Sequence, residues 1–91
     1  KLGVFVSDYT QTADTLEKIK VDGIILVLNG VYHATTKGSP ILGKASKLYV
    51  LSEDLKTRGL SEANVDGKVK VIDYGGLVDV IFNDFEQIAW I

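Results

Sequence analysis

The chain has 91 residues, 46% of them hydrophobic, a formal charge of -2, and neither cysteine nor methionine. That length makes a single domain spanning residues 1–91, which buries only about 60% of its unfolded surface and is therefore expected to gain from self-association or a partner. The acidic balance argues against direct nucleic-acid binding, which depends on clustered Lys and Arg, and the absence of cysteine rules out a disulfide framework or a thiolate metal site.

In chain order, Leu2–Val6 is short, apolar and β-branched, and the polar run from Ser7 to Thr10 marks its exit from a buried sheet. Thr12–Lys20 places Ala13, Leu16 and Ile19 at helical spacing between charged residues, until Asp22-Gly23 breaks the pattern. Ile24–Leu28 is uninterrupted and aliphatic, as expected of a central strand covered on both faces. Asn29-Gly30 turns the chain, and Val31–Thr36 can wind one or two helical turns. Ser39 as N-cap with Pro40 at the first helical position predicts a second short helix ending near Lys44–Ala45.

Leu48–Leu51 reads as the third strand. Ser52 is expected to cap the helix that follows, with Glu53 and Asp54 against the positive end of its dipole, Arg58 in its last turn and Gly59 as a left-handed stop. After the polar Ser61–Gly67 loop, Lys68–Ile72 predicts the fourth strand. A helix over Gly75–Phe85 then sets Leu77, Val78, Ile81, Phe82 and Phe85 on one stripe, and Gln87–Ile91 closes the chain as the fifth strand.

This alternation implies right-handed crossovers and an α/β fold, a small three-layer sandwich around a mainly parallel sheet of about five strands. Function should then sit at the carboxyl ends of the strands, in Ser7–Thr10, Asn29–His33, Ser52–Asp54 and Asp73–Gly76. No run approaches the roughly 20 apolar residues that span a bilayer, and no basic-then-apolar leader precedes the first strand. A cytoplasmic protein without membrane contact is the expectation. Lacking any methionine, the chain is also expected to be preceded by at least its initiator.

Those loops offer little catalytic chemistry. His33 is the single histidine and has no cysteine to activate, so a structural or interface role is preferred. One histidine without thiolates cannot form the usual zinc site, and Asp8, Asp54 and Asp73 lack the pattern of a phosphoryl-receiving domain. Neither phosphate-loop spacing occurs, so Gly75-Gly76 is expected to serve a tight strand-to-helix turn rather than an anion. No catalytic residue, cofactor or metal ligand is assigned. Tyr49 and Tyr74 are read as core or boundary aromatics, whereas Trp90 on a terminal strand and Tyr32 on a strand-end loop are the aromatics suited to a partner surface. With Asp8, Asn29, Gly30 and His33 they form the candidate partner-binding set.

The segments KLYVLSEDLKTRGLSE from Lys47, VIDYGGLVDV from Val71, QIAW from Gln87 and, more weakly, IILVLNGVY from Ile24 resemble in order and spacing the DsrH/TusB family of sulfur-relay subunits. The first 20 or so residues match poorly. The resemblance implies a DsrE-like fold and a small accessory subunit that assembles with DsrE/TusD-like and DsrF/TusC-like partners, or with itself. Such assemblies relay persulfide sulfur toward 2-thiolation of the tRNA wobble uridine, or serve sulfur oxidation. Some members carry a cysteine in the first helix, where this chain has Ala13, Asp14, Thr15 and Leu16. A scaffold or regulatory subunit is therefore expected rather than a sulfur carrier. A small-ligand or nucleotide-binding module using Asn29-Gly30 and Gly75-Gly76, or a homo-oligomer outside sulfur transfer, is the alternative.

Overall fold

The computed structural model describes residues 1–8, 16, 20–36 and 39–91. Its five strands, β1 (Leu2–Val6), β2 (Gly23–Leu26), β3 (Lys47–Leu51), β4 (Lys70–Ile72) and β5 (Gln87–Trp90), form one sheet in the order β4-β3-β2-β1-β5. Every pairing is parallel, as the alternation of strand and helix predicts. The three inner strands are continuous apolar runs because both of their faces are covered. Side chains alternate across the sheet, so the register Val4↔Ile24↔Leu48 lies on one face and Phe5↔Ile25↔Tyr49 on the other.

The first face carries the larger core. Val4, Val6, Ile24, Leu26 and Val50 pack there with Val31, Ala34, Ile41 and Leu55, which come from helical segments. These segments include α1 (Tyr32–Thr35), α2 (Ser52–Thr57) and short 3-10 turns at Leu28–Val31 and Pro40–Gly43. Leu16 is helical and buried in the same core; the other apolar residues of the expected first helix, Ala13 and Ile19, lie outside the described residues. On the second face, the described residues supply one covering helix, α3 (Tyr74–Asp84), which lays Leu77, Val80 and Ile81 over Phe5, Ile25, Val27 and Tyr49.

Local chemistry departs from expectation at three helices. Ser39 occupies the N-cap position, but its hydroxyl bonds His33 Nδ1 at 2.8 Å rather than the turn, which is a 3-10 turn closing at Gly43. Ser52 is the first helical residue of α2 rather than its cap, and its hydroxyl donates to Glu53 Oε1 at 3.0 Å. The C-terminus of α2 is as predicted: Gly59 has φ +68°, and the N–H groups of Leu60 and Gly59 donate to the carbonyls of Leu55 and Lys56. This is the left-handed closure that glycine makes without strain.

In α3 the predicted stripe splits. Each residue turns about 100°, so Leu77-Val78 and Ile81-Phe82 cannot all face the sheet. Val80 takes the buried position, leaving Val78 50% and Phe82 80% exposed. Phe85 leaves the helix in extended backbone and lays its ring over Gly3 and Gly23, where a Cβ would come within 2.7 and 2.1 Å of it.

Two constraints can be tested. A Cβ on Gly30 would stand 1.9 Å from the Val6 carbonyl oxygen, so the strand-end turn reaches β1 only because this position has no side chain. Gly30→Ala should destabilise the fold by about 3 kcal/mol in urea unfolding, because backbone on both sides must yield. Tyr49 donates to Asp84 Oδ2 at 2.8 Å, and burial first, then this bond and the Asp84 charge, push its phenol up to about 12. The fold thus favours the protonated phenol. Its contribution is whole below the unfolded value near pH 10 and is lost as pH rises from there through about 12, an effect on the order of 2 kcal/mol. Tyr49→Phe should abolish that alkaline loss, measured by unfolding at pH 8, 10 and 11.5, while costing about 1 kcal/mol at neutral pH.

Candidate partner-docking face

Parallel pairing brings the carboxyl ends of β1, β2, β3 and β4 to one edge of the sheet, where α2 acts as a clamp. Asp54 is 9% exposed, and its Oδ2 accepts from the Leu28 N–H at 2.7 Å, tying α2 to the turn after β2. Glu53 Oε2 accepts from the Tyr74 N–H at 3.3 Å, tying α2 to the start of α3 after β4. Arg58 completes the set. It donates from Nε to Asn29 Oδ1 at 2.9 Å and from an Nη to the Asp54 carbonyl at 3.2 Å, with that nitrogen 3.8 Å from Asp54 Oδ1. Glu53 and Asp54, expected to answer only the dipole of their own helix, instead hold two neighbouring loops.

The clamp fixes an unusual backbone. Leu28 has φ +50°, the single positive value outside glycine among the described residues, and its side chain is 46% exposed. An L-leucine in this region is disfavoured by Cβ contacts, at a cost of order 1 kcal/mol. The sequence reading placed Leu28 inside the central strand; the structure turns it out after Leu26.

Beside Leu28 lies a cleft of ≈ 250 Å³. Phe5, Val27, Leu51 and Leu77 line its interior, with Asp54 in the wall, and Leu28, Tyr74 and Trp90 stand at its mouth. Trp90 is 60% exposed and stacks on Phe5, ring centroids 4.9 Å apart and planes at 27°. Ser7 anchors the end of the chain by donating from both N–H and hydroxyl to the Ile91 carbonyl, at 3.2 and 2.9 Å. A second depression, of ≈ 160 Å³ between Thr35, Thr36, Asn64 and Asp66, is polar, and the Asp66 N–H bonded to the Ala34 carbonyl closes its wall.

The cleft belongs to a wider surface. Among the described residues, the exposed large apolar side chains are Leu28, Tyr74, Val78, Phe82, Ile88 and Trp90. All six lie on the α3 side of the sheet or at its cleft, since Ile88 and Trp90 pair with Gly3 and Phe5 on the face that carries Phe85 and α3. Tyr74, Val78 and Phe82 recur every four residues along the outer surface of α3. Tyr74, expected at the core or its boundary, is thus a surface residue. Large exposed apolar groups gathered on one side of a fold mark a contact surface, and aromatic residues are characteristic of such contacts.

Of the candidate residues, Trp90 is in this surface and Asn29 is attached to it through Arg58. Asp8 is exposed at the end of β1. Gly30 is buried beneath Val6. Tyr32 is half-buried in α1, and His33 is buried, bonded to Ser39. Leu28, Val78 and Phe82 belong to apolar runs that read as core, and Tyr74, in the Asp73–Gly76 loop, reads as a core or boundary aromatic. Only the adjacent pairs Leu77-Val78 and Ile81-Phe82, too wide for one helical stripe, carried the signal.

The start of α3 is largely engaged within the chain. The Tyr74 N–H is bonded to Glu53, the Gly76 N–H to Asp73 Oδ1 at 2.8 Å, and the Leu77 N–H to the Asp73 carbonyl. Of the first-turn donors, those of Tyr74, Gly76 and Leu77 are thereby bonded within the chain. No group of three or more potential metal-ligating side chains occurs among the described residues, and no helix among them is long and apolar enough to cross a membrane.

The family model described as DsrH like protein matches residues 6–87. Proteins named TusB are similar to the chain along most of its length. The one from Photorhabdus laumondii is 36% identical over 73 residues, covering 76% of this chain and 75% of the relative. The one from Pectobacterium parmentieri is 34% identical over 89 residues, covering 92% and 93%. With the family match spanning nearly the whole fold and relatives above 30% identity, the chain belongs to the DsrH-like family that includes the TusB proteins.

Proposed function

We propose that this chain is a non-catalytic accessory subunit of a cytoplasmic sulfur-relay assembly resembling DsrEFH or TusBCD. In this reading it supports persulfide transfer toward 2-thiolation of the tRNA wobble uridine, or sulfur oxidation, without itself holding sulfur. The observation that carries the reading is the apolar face of α3 and β5 on a chain in which none of the 91 residues is cysteine. A persulfide needs a thiolate, so sulfur chemistry must reside on another subunit. What the chain has instead is surface: six large apolar groups gathered on one side. The partners are DsrE/TusD-like and DsrF/TusC-like subunits, at least one of them bearing the relay cysteine. The nucleotide-binding alternative is weakened by the engagement of the Tyr74 and Gly76 N–H groups with Glu53 and Asp73.

Purification of the chain from its host should recover such a cysteine-bearing subunit, and deleting the gene should lower 2-thiouridine in tRNA if thiolation is the pathway. A chain that emerges alone, with thiolation and sulfur oxidation both intact after deletion, overturns the proposal. Val78→Asp and Phe82→Asp alter solvent-exposed positions and should change folding stability by less than about 0.5 kcal/mol, yet reduce recovery of the partner in the same purification by about tenfold or more.

A further inference from the structure

The cleft beneath Leu28, Tyr74 and Trp90 is a more specific feature than the face around it. We infer that it is an anchor pocket, receiving one aromatic or branched apolar side chain that a partner subunit presents beside a lysine or arginine. The inference rests on the accessory-subunit reading and names what that partner must offer.

Size argues for a single side chain. At ≈ 250 Å³ the cleft falls below the roughly 300–1,000 Å³ of pockets that enclose drug-sized ligands. Its lining asks for an apolar group, because Phe5, Val27, Leu51 and Leu77 supply no hydrogen-bonding side chain and Trp90 offers a ring face at the mouth. Anchors of this kind, seated in an apolar pocket near the centre of a contact, carry a disproportionate share of binding energy.

Charge selects the flanking residues. Glu53, Asp54 and Asp73 bring carboxylates to this edge, where the Arg58 guanidinium lies 3.8 Å from Asp54. Asp54 lies in the wall of the cleft, Glu53 is bonded to the backbone of Tyr74, and Asp73 directly precedes Tyr74. An approaching segment with Lys or Arg beside its anchor is attracted to this edge, and one with Asp or Glu is repelled. An acidic segment is the disfavoured occupant.

Leu28 supplies an independent argument. A turn with φ +50° is comfortable for Asn or Gly, but here a leucine is held in it by Asp54, with its side chain half-exposed at the cleft mouth. Strain retained at an exposed apolar group points to binding rather than folding.

The test uses the intact chain assembled with the relay subunits of its own host. Leu28→Asn relieves the backbone and removes the apolar wall, so its Tm should equal or exceed that of the parent while its Kd for the partner rises at least about tenfold. Asp73→Ser keeps a capping side chain and removes a rim charge; it should raise Kd about threefold and flatten the salt dependence. Trp90 is the only tryptophan in the sequence, so fluorotryptophan incorporated into this chain alone gives one fluorine resonance, which should shift on assembly. If the assembly forms while both variants bind as the parent does and the resonance stays in place, the anchor inference falls and the accessory-subunit reading stands. If no relay subunit assembles with the parent chain, both fall. A resonance that moves with the concentration of this chain alone assigns the cleft to a second copy and overturns the inference.

Discussion

The bond from the Leu28 N–H to Asp54 Oδ2, at 2.7 Å, is the contact on which the strand-end edge depends. A parallel sheet leaves its strand ends as separate loops, each joined to its neighbours only through a crossover, and nothing in the ladder itself aligns them. Here the first turn of α2 does so. Asp54 fixes the turn after β2, Glu53 fixes the entry to α3, and Arg58 closes the set through Asn29. Because Asp54 is buried and its partner is a backbone donor that would otherwise lie unsatisfied, this contact is worth more than a surface ion pair. The cleft walls after β2, on α2 and at the start of α3 share this clamp, and Phe5 with Trp90 stacked on it completes them.

The same economy explains why a small domain leaves one face incompletely covered. The described structure sets several helical segments against the Val4 and Ile24 side of the sheet but a single helix, α3, against the Phe5 and Ile25 side. One helix is about 10 Å wide, and a five-stranded sheet is roughly twice that. The remainder of the second face is filled at its margin by Trp90 and Ile88, whose side chains stay partly in water. Covering them within the chain would require another helix. In the role proposed above, a partner subunit does that work, and a division of labour between a cysteine-bearing subunit and a scaffold fits a chain that has surface and no thiolate.

Much of this was legible in the sequence. The five strands, their parallel order of connection and the glycine stop of α2 follow from aliphatic runs and punctuation, because these depend on neighbours within a few residues. The KLYVLSEDLKTRGL stretch identified the family, although its residues act structurally: a strand, a clamp and a helix stop. Trp90, expected on a partner surface, is exposed, because a terminal strand at a sheet edge has fewer neighbours to cover it. His33 and Gly30 were grouped with it by loop position, yet they are buried, since the turn after β2 folds back toward β1 instead of reaching outward.

The sequence by itself determined the fold class, the element order and the absence of any sulfur-carrying atom, because composition and short-range periodicity suffice for each. Only the tertiary structure decided which apolar residues are surface. Val78 and Phe82 are as hydrophobic as Leu77 and Ile81, and their exposure depends on how α3 is rotated over the sheet, which Phe85, Val80 and the Asp73 cap set together. It also decided the work of Glu53 and Asp54. A carboxylate at a helix start is satisfied locally unless another element presents a donor, and the loops that present one here lie about 20 residues or more away along the chain.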